Sequence, residues 1–137
     1  MLRQDDNKLQ MVKRFGCFFL CCGYIAEDMT GLKLTPEQVY NVLATAVYVG
    51  DMKSDLYIRY QDNVINHYLE ELGSDKMVIK AGHWNLSDGY EPRIKYDYVI
   101  ERYRYGNIFH FKMAGYDPHP GLKLGGLTGK RYFRIGG

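Results

Sequence analysis

The chain has 137 residues, of which 46% are apolar and 25% charged, with a formal net charge of +2. That is the composition of one globular domain, spanning residues 1–137 and large enough to bury a core. The balance of charge excludes a polybasic or polyacidic chain, and the apolar run over residues 17–26 is too short to cross a bilayer.

The first apolar run opens at Cys17, after Phe15 and Gly16, and reaches Ala26. From Gly16 to Glu27 it is apolar on nearly every side, which predicts a helix enclosed by the rest of the domain. The run ends in Glu27 and Asp28 without a small-x-small cleavage site, so it does not read as a secretory leader. Its cysteines, at 17, 21 and 22, are odd in number and clustered. They predict reduced thiols and a cytoplasmic setting rather than a disulfide framework.

Thr35, Pro36 and Gln38 spell a helix start: a capping threonine, a proline at the first helical position and a glutamine that closes a capping box. This helix is expected to run to Val49, with Val39, Val42, Leu43, Ala46 and Val49 inward and Gly50 ending it. A third helix, Asp62 to Leu72, presents Val64, Ile65, Tyr68, Leu69 and Leu72 and stops at Gly73. The chain then turns to strands: Met77–Ala81, Tyr96–Tyr105, Ile108–Met113 and Arg131–Ile135, with Gly106 and Asn107 as a two-residue hairpin turn. Helices first and an antiparallel meander afterwards predict an α+β domain, with a central buried helix packed on a C-terminal sheet.

Cys17 stands at the first turn of its helix, where unpaired N–H groups and the dipole favour thiolate over thiol. Gly16 allows a tight entry and a close substrate backbone. On the late strand, Phe109, Phe111 and Met113 share the core face, which turns His110 away from it, toward a cleft. A hairpin closing over Lys112–Gly115 pairs Phe111 with Tyr116 and His110 with Asp117, so that the carboxylate orients the imidazole. His83, beside Trp84 and followed by polar residues, reads as a surface loop histidine and a weaker candidate base.

No cofactor or metal is expected. The three cysteines on one helix lack zinc-knuckle spacing, and Gly121–Lys130 reads as a loop without the spacing of a phosphate loop. Nine Lys/Arg against three Asp/Glu from Pro92 to Gly137 admit nucleic-acid binding, but charges on solvent-facing strand positions are the commoner cause.

Phe15-Gly16-Cys17 ahead of an apolar helix, then His110-Phe111, then Tyr116-Asp117-Pro118 and a closing strand from Lys130 resemble the papain-like cysteine peptidase superfamily. Within it, the chain is similar to small bacterial and phage proteins of the bacteriocin-processing type. The resemblance implies a papain-like fold and a thiol hydrolase acting on an amide of a peptidoglycan stem peptide or of a protein. Cys17 is then the nucleophile, His110 the base, Asp117 the orienting residue and Gln10 the oxyanion donor. Two other functions remain open: a catalytically silent binder, such as a phage-encoded inhibitor of a host system, and a basic nucleic-acid-binding domain.

Overall fold

The computed structural model describes residues 1–7, 12, 16–93 and 95–136. Helices α1 (Cys17–Thr30), α2 (Pro36–Tyr48) and α3 (Gln61–Glu71) precede strands β1 (Met77–Asn85), β2 (Tyr98–Tyr105), β3 (Ile108–Met113) and β4 (Leu127–Gly136). Three helices before an antiparallel sheet are the α+β arrangement that the sequence implies.

Helix α1 has no wet face, and Phe19, Leu20, Cys21, Cys22, Ile25 and Ala26 are all buried. It outlasts its expected end because Glu27 is itself buried, its Oε2 accepting the Leu34 N–H at 2.7 Å. Gly31, at φ 73°, stops it by donating back to the Glu27 carbonyl. Helix α2 begins on the anticipated box: Gln38 N–H to Thr35 Oγ1 at 3.2 Å and Thr35 N–H to Gln38 Oε1 at 2.9 Å. Val49 does not face the core as expected. It caps the helix and is exposed, because the chain turns at Gly50 with φ 85°. Helix α3 packs on α1 through Tyr68, which is fully buried and donates its hydroxyl to the Phe19 carbonyl at 3.0 Å.

The strands lie in the order β1-β4-β2-β3, all antiparallel. This corrects the expected meander: β4 returns from the glycine-rich stretch after Gly121 and inserts between β1 and β2. Its approach is already paired, with Gly125 N–H on the Arg104 carbonyl at 2.7 Å. A helix touches each edge strand of the sheet. On β1, Asn66 of α3 accepts from Val78 N–H at 2.7 Å and donates to the Val78 carbonyl at 3.1 Å. On β3, the Cys21 thiol of α1 meets the Phe111 carbonyl at 3.7 Å. Among the described residues no helix is long and apolar enough to cross a membrane.

Candidate active site and cationic cleft

The face of the sheet that meets the helices changes character along its length. Strand register aligns His83, Arg131, Ile100 and Met113 in one cross-strand row and Asn85, Gly129, Arg102 and Phe111 in the next. Ile100, Met113 and nearby Phe133 are buried under the helices. Beyond the first turn of α1 the cover stops, and a cleft of about 690 Å³ opens. Cys17 and Phe18 of α1, residues 56–59, and the strand residues His83, Asn85, Arg102, Phe109, Phe111 and Arg131 line it.

Cys17 sits where burial gives way to the cleft. It is the first residue of α1, as expected, and it is 8% exposed. Gly16 is required before it, since a Cβ there would lie 2.6 Å from the Val12 carbonyl oxygen. The thiol is not poised as a thiolate. Burial raises its pKa above the ordinary thiol range, and the Asp117 charge adds to the rise. Hydrogen bonding from the backbone of Phe111, of Phe18 and of Cys17 itself opposes it only in part. Desolvation thus outweighs the helix terminus at this position. Cys21 and Cys22 are fully buried, and burial raises their pKa values as well.

His110 and Asp117 come together as expected, with Nε2 2.8 Å from Oδ1. The hairpin that joins them is tighter than anticipated. Met113 bridges Tyr116 across a two-residue turn, Ala114-Gly115, with Gly115 at φ 84°. The four-residue loop and the Phe111–Tyr116 pairing are therefore corrected, although the side chains still reach one another. His110 is also not turned into the cleft. It is 3% exposed and lies on the opposite side of β3 from the cleft-lining Phe109 and Phe111. Phe109 itself is exposed rather than core. No hydrogen bond links Cys17 to His110 among the described residues; the backbone of Phe111, the next residue on β3, hydrogen bonds toward the sulfur. Gln10, the expected oxyanion donor, lies outside the described residues.

His83 is not in a loop. Strand β1 continues through it to Asn85, and it lines the same cleft as Cys17. At Gly82 the strand passes close to Tyr96, whose hydroxyl a Cβ there would approach to 2.8 Å and displace. Arg104 and Arg134 are exposed, as expected of strand charges, but two strand arginines are not. Arg102 and Arg131 are half-buried on the helix side of the sheet. Their shared parity with Ile100 and Phe133 was the signal available in the sequence.

The result is an α+β domain with a cysteine heading α1, set on a cleft whose lining, among the described residues, carries arginine and no carboxylate. The family model described as "Protein of unknown function, DUF261" matches residues 1–111, and the chain belongs to that family. Cys17, His83, Arg102 and His110 fall within the matched span, and Asp117 and Arg131 beyond it. No curated protein and no solved structure matches the chain.

Proposed function

We propose that the chain is a papain-like cysteine hydrolase acting on an amide or ester of a peptide or protein substrate. The observation that carries this is the contact of His110 Nε2 with Asp117 Oδ1 at 2.8 Å. With Nε2 held by Asp117, Nδ1 is the ring atom left to accept the thiol proton. Because burial keeps Cys17 protonated, a base is needed at the moment of attack. His110 takes the S–H proton as sulfur bonds to the carbonyl carbon, then gives it to the leaving group as the acyl bond breaks. Water, deprotonated by the same imidazole, releases the acyl group and regenerates the thiol. The first-turn N–H groups of α1 are the donors available to the oxyanion. Catalysis requires the sulfur and the imidazole to close up around β3 when substrate binds.

One observation favours a second base. His83 shares the cleft with Cys17, and His110 does not. The test is the alkylation rate of each thiol by iodoacetamide, read by peptide mass spectrometry under reducing conditions. Cys17 is expected to react while Cys21 and Cys22 stay inert. His110→Gln, which can still bond Asp117, should slow Cys17 about tenfold or more, with His83→Gln within about twofold of the parent. The reverse pattern would move the base to His83. Equal inertness of all three thiols sinks the hydrolase.

A further inference from the structure

Three arginines line the cleft, Arg59, Arg102 and Arg131, and no aspartate or glutamate does. None of the three forms an ion pair among the described residues. Yet two of them are fixed in place. Arg102 donates from Nε to Thr128 Oγ1 at 2.8 Å and from Nη2 to the Thr128 carbonyl at 3.0 Å. Its guanidinium carbon stands 4.3 Å from the centre of the Phe109 ring. Arg131 donates from Nη1 to Asn85 Oδ1 at 3.1 Å and to the Lys130 carbonyl at 3.0 Å.

Local backbone irregularities serve this arrangement. The ladder between β2 and β4 slips where Arg102 pairs with Gly129 and Tyr103 with Leu127, leaving Thr128 as a bulge. That bulge turns both the hydroxyl and the carbonyl of Thr128 onto Arg102. Gly129, directly opposite, leaves room for the guanidinium: a Cβ there would meet Arg102 Nη2 at 3.3 Å and the Trp84 carbonyl at 2.7 Å. Holding two cations side by side has a cost. Burial lowers the pKa of both arginines, and the Arg102 charge lowers that of Arg131 further. Asp88, the carboxylate that both feel, offsets this only from a distance, its Oδ2 being engaged by the Asn85 N–H at 2.9 Å. Nη1 of Arg102 and Nε and Nη2 of Arg131 have no protein acceptor among the described residues.

We infer that the cleft binds a ligand through an oxyanion, a carboxylate or phosphate group seated between Arg102 and Arg131, with Arg59 contributing from the loop wall. Paired guanidiniums with fixed planes and unfilled donors are the chemistry that recognises such groups. Binding does not depend on what Cys17 does. Only the further step, that the hydrolase substrate is acidic next to its scissile bond, rests on the Cys17 chemistry proposed above.

The experiment is a titration of the whole chain with sodium phosphate and, separately, sodium acetate, at ionic strength held constant with sodium chloride. Thermal melting and ¹⁵N–¹H chemical shifts are read together. At least one of the two anions should raise the melting temperature saturably and shift the amides around Arg102, Asn85 and Arg131. Arg102→Gln and Arg131→Gln should each weaken that binding about tenfold or more, while Lys123→Gln, on an exposed loop, leaves it unchanged. A response to phosphate alone assigns a phosphate ligand, and a response to acetate alone a carboxylate. No saturable shift with either anion overturns the site, as does an equal shift in the double arginine variant. No turnover is involved, so a silent Cys17 leaves a positive titration standing, and a flat titration leaves the thiol chemistry standing.

Discussion

The two halves of the helix-facing side of the sheet make an instructive contrast. In one half Phe133, Ile100 and Met113 lie under α1 and α3, buried and apolar. In the other, two residues further along the same strands, Arg131, Arg102 and Phe111, with Phe109 beyond it, meet an open cleft. The strand periodicity is unbroken across the boundary; what changes is whether a helix lies above. The end of α1 sets that limit, and Cys17 stands on it. A half-buried strand position is thus read by its cover as well as by its parity.

The contrast can be tested from its strongest side first. Phe133→Ala in the covered half should cost about 3–5 kcal/mol in urea unfolding, and Phe109→Ala in the open half under about 1 kcal/mol. Equal costs would mean that the cleft is closed in solution. Next comes alkaline pH. Burial raises the thiol pKa values of Cys17, Cys21 and Cys22, so above about pH 8.5 the unfolded chain loses thiol protons that the folded chain keeps. The folded state then binds more protons, and stability falls as pH rises. Each thiol still protonated in the fold at pH 10 should account for a loss of about 2 kcal/mol. Cys21→Ala should make the fall shallower, a trend read from denaturant midpoints between pH 8 and pH 10. The smallest effect separates the two histidines. His110→Ala should destabilise by about 1.5–3 kcal/mol, because it removes a buried partner of Asp117. His83→Ala, at an exposed position, should stay within about 0.5 kcal/mol.

The helical half of the fold was legible in the sequence because its signals are local. The capping box at Thr35, the inward stripe of Val64, Ile65, Tyr68 and Leu69, and glycine stops at Gly50 and Gly73 each act within a few residues. Sheet order was not legible, since the place of β4 depends on partners more than twenty residues away. The end of β1 was hidden because Gly82 reads as a breaker, whereas here it makes room for a tyrosine hydroxyl that the sequence cannot place beside it. At the site, the His110–Asp117 pair was accessible through hairpin logic. The side of β3 on which it lies was not, because both Phe109 and His110 are plausible core residues until α1 is positioned. The arginine pair went unread for a related reason: Arg102 and Arg131 are 29 positions apart, and only register makes them neighbours.

The placement of β4 has a consequence for biosynthesis. The inner strand that joins β1 to β2 follows both of them in the chain, so a nascent chain presents α1, α2, α3, β1 and the β2–β3 hairpin before anything can join β1 to β2. Until residues 127–136 emerge, the apolar faces of Ile100 and Val78 have no common sheet to sit in, and Arg102 has no Thr128 to orient it. Completion of the cleft therefore waits on β4, and the interval before that strand docks is when the β1 and β2 edges are most exposed to chaperones and to aggregation.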